Sequence, residues 1–368
     1  MRRLIVMSLY CENGAIEIFK KLLIQTIKPY ADFFCIVCNG NMSKKSIAYL
    51  KTQADYVMMR DNIGYDAGAY KDVLALVDLN QYEQLLLIND TFFGFFYSLD
   101  CFFECVNTNK NVDFGGFTKF PRGEFTSGKE IQEHIQSYFM LIGKKMLHST
   151  DFKEFWKNIE YPQTHREAIE QFEIAFSTYF TERNYIGEAY CDLKEIGVSR
   201  YNMNPYMEYP YELIVDLKCP ILKRKSVVIG NTSVWKALQY IRDNQLYDFD
   251  LLWNQVMQDY KNHSNGAYFN LYELEEFISK YSRIYIYGTG VYGKGMAEYL
   301  QFRGRTFEKY IVSTKEDVIN TMVIEVSELD VDTEIGIIVA LKNQYTKEVL
   351  PILIQKIQRK QLFLGNVE

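Results

Sequence analysis

The sequence predicts an α/β protein built from two domains. Three observations carry that prediction. Apolar strands alternate with amphipathic helices through roughly the first ninety residues. Those strands read as continuous apolar runs, as in a parallel sheet covered on both faces. After a polar stretch at 261–267, a second unit of strand, glycine turn and helix begins. A chain of 368 residues is long for one core and comfortable for two. The first domain is expected at 1–262, with a helical extension over about 233–262, and the second at 268–368.

The first strand is 4–9. Arg2 and Arg3 ahead of it mimic a signal peptide, but the apolar part is short and Cys11-Glu-Asn-Gly14 is no small-residue cleavage site. Residues 16–27 carry helical spacing, with Ile16, Phe19, Leu22, Leu23 and Ile27 on one side. A second buried strand follows at 33–37, then a short helix at 43–50 with Ser43 as N-cap. The third strand is 56–59. The next helix, 66–77, turns Ala69, Val73, Leu76 and Val77 inward. The fourth strand is 84–88. Further on, 112–117 and 137–142 read as strands, and 152–159 and 166–181 as helices. Two helices then lie at 233–242 and 248–260. In the second domain, strands are expected at 284–287, 310–312 and 336–341, and helices at 291–302 and 345–357.

Composition narrows the function. The formal net charge is -6 and is spread along the chain, which argues against nucleic acid as a partner. No run approaches the roughly 20 apolar residues that span a bilayer. Seven scattered cysteines argue for reduced thiols and a cytoplasmic protein rather than a disulfide framework. Cys35 and Cys38 form a CxxC inside a strand, where they point to opposite faces and share no zinc. The 29 tyrosines and 25 phenylalanines suit a large core, and tyrosine also suits sugar-binding clefts.

In open α/β sheets, ligands sit beyond the carboxyl ends of the strands. Those ends carry residues 8–12, including Ser8 and Tyr10, then 38–41, 60–66 and 89–91. The third is the richest: Arg60, Asn62, Gly64, Tyr65 and Asp66 fall in one loop. Gly64 lets the backbone approach a ligand, and Arg60 can reach a diphosphate. Asp66 can serve the ligand or cap the following helix. Asn89 and Asp90 end the fourth strand. A carboxylate there can hold Mg²⁺ or Mn²⁺ across two phosphates, or simply begin a turn.

Six motifs occur in order: NxGYDxGAYK, LLLINDTFFG, DFGGFT, HIQSYFMLIGKKML, FEIAF and CPILKRK. Together they resemble the rhamnan synthesis protein F family over about residues 1–230. The resemblance implies a glycosyltransferase of the GT-A type, with a Rossmann-type mixed or parallel sheet. It implies a dTDP-rhamnose donor and a glycan or polyprenyl-diphosphate-linked acceptor in cell-wall or capsular polysaccharide synthesis. Such an acceptor would bring the protein to the inner face of the membrane. By the same resemblance, the loop 60–66 and Asn89 line the donor pocket. Asp90 stands where such enzymes commonly carry Asp-x-Asp. Only one carboxylate is present, so metal use stays open, and Arg60, Lys223 or Arg224 can stabilise the leaving diphosphate instead. Glu173 is the implied base of an inverting transfer, with Asp113 in reserve. His134, Gln136 and Tyr138 are assigned to the acceptor cleft, with Gln136 and Tyr138 on one face of a strand.

Gly288, Gly290 and Gly293 form a GxGxxG between a strand and a helix, a second candidate nucleotide site. Ser313 and Thr314, rather than an acidic residue, follow the next strand. Two rival functions stand beside the transferase: an NAD(P)-dependent sugar-nucleotide oxidoreductase or epimerase using these glycines, and a non-catalytic scaffold of a polysaccharide assembly complex. The oligomeric state, homo-oligomer included, is left open.

Overall fold

The apolar runs of the first ninety residues become the centre of a seven-stranded sheet. The computed structural model describes residues 1–108, 111–124, 128, 130–198, 204–229, 232–262, 269–314 and 321–365. The linker expected at 261–267 lies mostly outside them. The chain divides into two compact units, Met1–Tyr206 with Leu213–Leu222, and Met207–Glu212 with Lys223–Glu368.

In the first unit, β1 (Arg3–Tyr10), α1 (Ile18–Ile27), β2 (Phe33–Asn39), α2 (Lys44–Gln53), β3 (Tyr56–Arg60), α3 (Tyr65–Leu74) and β4 (Gln84–Asn89) follow the expected alternation. Ser43 caps α2, accepting the N–H of Ser46. Then come β5 (Phe92–Gly94), α4 (Asp100–Thr108), β6 (Phe114–Gly116), β7 (Phe139–Gly143), α5 (Thr150–Asn158) and β8 (Gly187–Ala189). Between α5 and β8, the helix expected at 166–181 is three segments in series: His165–Ala168, a π-helical Ile169–Ile174, and Ala175–Thr181. The sheet order is β8-β6-β7-β4-β1-β2-β3. β1 to β4 are parallel, and β7 runs antiparallel to both β4 and β6. The sheet is therefore mixed, with a parallel half.

One face of this sheet is sealed by α3, α5 and the 165–181 helix, whose Tyr70, Phe155, Trp156, Phe172 and Phe176 meet Val6, Val37 and Leu87. Much of the aromatic content is spent here. Cys35 belongs to this cluster, and strand alternation sends Cys38 to the other face. Burial pushes both thiols up to about 12, so neither suits metal binding. Of the seven cysteines, Cys101 and Cys105 are exposed. No described helix is long and apolar enough to cross a membrane.

The second unit holds α6 (Thr232–Asp243), α7 (Phe249–Asn262), α8 (Leu271–Ile278), β9 (Arg283–Tyr287), α9 (Val291–Phe302), β10 (Tyr310–Val312), β11 (Val323–Glu325), β12 (Ile335–Val339), α10 (Asn343–Leu353) and β13 (Leu362–Leu364). Its sheet is β11-β10-β9-β12-β13, parallel throughout, the order of a doubly wound fold. The sequence assigned the helices at 233–262 to the first domain, but in the structure they group with the second unit. Packing decides this. The Trp235 ring lies 4.9 Å from Tyr299 and 5.9 Å from Phe302 on α9. Arg242 also donates to the Phe302 carbonyl at 2.9 Å. Periodicity shows that a helix has an apolar face, not which neighbour covers it.

Candidate active site

Strand register brings the polar strand ends together before any side chain is considered. Ser8 pairs with Asn89 across β1 and β4, Tyr10 with Asn39 across β1 and β2, and Asn39 with Arg60 across β2 and β3. Their side chains then join in one hydrogen-bonded line along this edge. The Arg60 guanidinium donates to Asn39 Oδ1 at 2.6 Å, and Asn39 Nδ2 donates to Ser8 Oγ at 3.1 Å. The Ser8 hydroxyl donates to one oxygen of Asp66 at 2.7 Å, and Asn89 Nδ2 donates to the other at 2.7 Å. Thr91 closes the line, its hydroxyl donating to Asn89 Oδ1 at 2.7 Å. Ser8, Asn39 and Asn89 are buried.

Asp66 does not cap its helix. Gly64 is the N-cap residue, with φ 76°, and Asp66 sits in the first turn. There it favours the helix dipole while its oxygens hold two strands. A side chain at Gly64 would be strained by the left-handed φ, and its Cβ would sit 2.8 Å from the Tyr161 ring. Tyr65 is also left-handed, at φ 52°. Strain of this kind in a non-glycine residue gathers at functional sites. Tyr65 is 36% exposed and meets His165 edge-on at 6.4 Å. Asn62 is exposed on the same loop.

Arg60 plays a different part from the one the sequence suggests. Besides Asn39, it donates to Asp72 at 2.7 Å and to the Ile63 carbonyl at 2.7 Å. Its side chain is 9% exposed. Three of the five guanidinium N–H groups are thus committed to shaping the 60–66 loop. Tyr161 donates to the other oxygen of Asp72 at 2.5 Å. Arg60→Ala therefore takes one partner each from Asp72, Asn39 and the Ile63 carbonyl, and a loss of about 3 kcal/mol in unfolding free energy is expected by urea titration. Unchanged stability would contradict this role.

Asp90 is buried beside Lys20 of α1. Its Oδ2 accepts from the Lys20 ammonium at 3.0 Å and from the Tyr10 N–H at 3.1 Å. Lys20 also reaches Glu17 at 2.9 Å and the Tyr10 carbonyl at 2.5 Å. It is 2% exposed. Burial alone would lower the lysine pKa, yet Asp90, Cys11 and Glu17 together raise it, so the ammonium is held charged. A divalent cation needs several free oxygen ligands. At Asp90 the neighbouring cationic place is already filled, and among the described residues no cluster of three His, Cys, Asp or Glu side chains suits a metal. Asp90 thus offers Mg²⁺ or Mn²⁺ a carboxylate whose Oδ2 is already shared by Lys20 and the Tyr10 N–H. The Tyr10 ring stays 46% exposed above this point.

Glu173 comes to the same edge by an indirect route. It lies in the π-helical turn, a feature frequent at functional sites. Its Oε1 accepts the N–H of Ser137 at 2.8 Å, and the next residue, Tyr138, accepts the N–H of Asn89 at 3.1 Å. Two adjacent residues thus tie Glu173 to the end of β4.

The other candidates are not gathered here. Residues 137–138 form a turn, not the expected strand. Gln136 and Tyr138 do converge, but inward: both bond the Thr118 hydroxyl at 2.7 Å. Tyr138 continues to Tyr206 at 2.8 Å. His134 stacks on Phe120 and bonds the Gln132 carbonyl. All three are 4% exposed or less, so they form framework rather than cleft. Asp113 lies near Gly143, which pairs with Gln84 at the opposite end of β4, about 17 Å of strand from Asn89. It is paired with Lys145 at 2.9 Å and lines a separate cavity of about 720 Å³ with Gln84, Phe102 and Tyr190. Lys223 and Arg224 fall in the second unit, where Arg224 grips Asp259 at 2.6 and 2.9 Å. Also in that unit, Gly288 and Gly290 lie between β9 and α9, and Gly293 lies in the first turn of α9. A Cβ at Gly293 would come within 1.9 Å of the Gly288 carbonyl, the close approach of a strand–helix turn. The Ser313 hydroxyl meets the Tyr287 hydroxyl at 2.5 Å.

Sequence reasoning missed Lys20, Asp72 and Tyr161, and carried Asn39 only within the strand end 38–41. Lys20 left a signal: it interrupts the apolar stripe of Ile16, Phe19 and Leu23. Asp72 and Tyr161 left none, because their partners are distant in the chain.

The chain matches the family described as Rhamnan synthesis protein F over residues 34–358. The uncharacterized protein y4gN of Sinorhizobium fredii is 27% identical over 151 residues, covering 39% of this chain and 37% of that one. This chain therefore spans well under two thirds of that relative's length. Among solved structures, 4-diphosphocytidyl-2C-methyl-D-erythritol synthase from Anaerococcus prevotii is 13% identical, with a TM-score of 0.33 over 51% of this chain and 87% of that one. Glucosyl-3-phosphoglycerate synthase from Mycobacterium tuberculosis, solved with Mn²⁺, uridine diphosphate and glucosyl-3-phosphoglycerate, is 14% identical, with a TM-score of 0.26 over 39% of this chain and 57% of that one.

Proposed function

The chain belongs to the rhamnan synthesis protein F family, and from that premise we propose that its first unit is an inverting glycosyltransferase. The donor is a sugar nucleotide, dTDP-rhamnose in the first instance. The acceptor is a hydroxyl of a growing glycan or of a polyprenyl-diphosphate-linked sugar. One observation carries the reading: Ser8, Asn39, Arg60, Asp66 and Asn89 form a single bonded line along the carboxyl edge of a parallel sheet, with Glu173 tied to its end. Such edges are where α/β folds bind nucleotides.

The chemistry needs few groups. The N-terminus of α3 offers amide N–H groups and a positive dipole to the donor diphosphate. Tyr65 and Tyr10, both partly exposed, offer ring faces to the base or sugar. Ser137 holds one oxygen of Glu173, and the other takes the proton of the acceptor hydroxyl. The acceptor's hydroxyl oxygen, freed of its proton, attacks the anomeric carbon from the face opposite the diphosphate. The new C–O bond forms as the bond to the diphosphate breaks, the electron pair leaves with the nucleotide, and configuration inverts.

The test is a thermal-shift screen of sugar nucleotides, followed by transfer to a rhamnan-type acceptor. A deoxythymidine-diphosphate sugar should raise the melting temperature, since a ligand stabilises the state it binds. Stabilisation by NAD(H) alone would favour an oxidoreductase working from the second unit. No stabilisation by any nucleotide would favour a scaffold.

A further inference from the structure

Asp90 sits where a metal-dependent transferase would bind its cation, but a buried lysine already occupies that role. From this we propose that Lys20 replaces the divalent cation, so that sugar-nucleotide binding at this edge is metal-independent. The inference rests on the reading of the edge as the sugar-nucleotide site.

Four observations carry it. Lys20 comes from α1, yet its ammonium lies within 3.0 Å of Asp90 Oδ2 and 2.9 Å of Glu17 Oε2. It is as buried as a core residue, although lysine is almost never fully buried without partners. The Asp90 oxygen it holds is fixed from a second side by the Tyr10 N–H. The Tyr10 carbonyl bonds the same ammonium, so β1, α1 and β4 converge on one fixed positive charge. A bare Asp90 carboxylate would repel an arriving diphosphate, and a metal would reverse that repulsion at the cost of an open coordination site. Lys20 removes the repulsion from within and leaves no such site. It acts through Asp90, as a positioning residue that does not touch the substrate.

The experiment uses the full chain and two readouts. In the first, Mn²⁺ is titrated into nucleotide-free protein and followed by electron paramagnetic resonance. The wild type should not bind, and binding lost in Asp90→Asn would overturn the proposal. In the second, the affinity of a sugar nucleotide is measured with Mn²⁺ and with EDTA. Equal affinity is expected, whereas a loss of at least about tenfold in EDTA would overturn metal independence while leaving the glycosyltransferase reading intact. If no nucleotide bound under either condition, that reading would fall and this inference with it. Lys20→Met adds a gain-of-function arm. It frees Glu17 and Asp90 together, so Mn²⁺ should now bind and raise the melting temperature of the variant but not of Lys20→Arg. A folded Lys20→Met protein indifferent to Mn²⁺ would count against the replacement. Should it fail to fold, the two wild-type measurements still decide.

Discussion

Glu173→Gln should slow sugar transfer about 1000-fold while leaving donor affinity unchanged. Glutamine keeps the size of the side chain, and its amide oxygen can still accept the Ser137 N–H that Glu173 Oε1 accepts at 2.8 Å. The π-turn and the 137–138 turn should therefore survive. What the amide cannot do is take a proton from an attacking hydroxyl. A general base contributes through the transition state alone, so kcat should fall with little change in the donor KM. Isothermal titration with the sugar nucleotide and a rate measurement on the same preparation separate the two. A variant retaining full transfer would remove Glu173 from the mechanism. Asp113 would not inherit the role, since it lies at the other end of β4 and is already paired with Lys145.

Asp66→Ala should abolish measurable donor binding and lower stability by about 2 kcal/mol. Asp66 joins the side chains at the ends of β1 and β4, receiving Ser8 on one oxygen and Asn89 on the other. Without it, a buried hydroxyl and a buried amide lose their acceptor, and the first turn of α3 loses an anion that suits its dipole. The two effects separate through Ser8→Ala, which removes the bond to Asp66 and the one from Asn39 and leaves the carboxylate in place. That variant should lose about 1 kcal/mol and keep most of its affinity. If Asp66→Ala bound sugar nucleotides as well as the wild type, the bonded edge would be framework only, and the donor site would lie elsewhere.

Much of the fold could be read directly. The runs that became β1, β2 and β4 are apolar on both faces, and only a strand covered on both sides uses such a pattern. Ser43 announced α2 because a serine ahead of an amphipathic stretch satisfies its free N–H groups. The segments 92–94, 187–189 and 362–364 were not read as strands, because three residues carry no period. The π-turn around Glu173 was equally hidden, since one extra residue in a helix leaves the apolar spacing almost intact.

The site divides in the same way. Ser8 and Asn89 stand at strand ends and Asp66 in the loop-to-helix turn after β3, and such places are legible. That Ser8 and Asn89 meet follows from the register of β1 and β4, which pairs these residues across 81 positions, and α3 brings Asp66 to both. Arg60 shows the limit: a lone arginine in a polar loop suggests a phosphate, and only the positions of Asp72, Asn39 and Ile63 reveal that three of its five N–H donors hold the loop.

Sequence alone therefore determined the α/β class, the boundaries of the central strands, the loop 60–66 and the family. Tertiary structure decided which polar groups bond one another, which unit holds the helices at 232–262, and which cation answers Asp90. The reason is physical. Local propensity and apolar period are properties of neighbouring residues and are written along the chain. Hydrogen-bond satisfaction and charge pairing in a buried place depend on what packing brings within about 3 Å, and the chain folds distant segments together to achieve it.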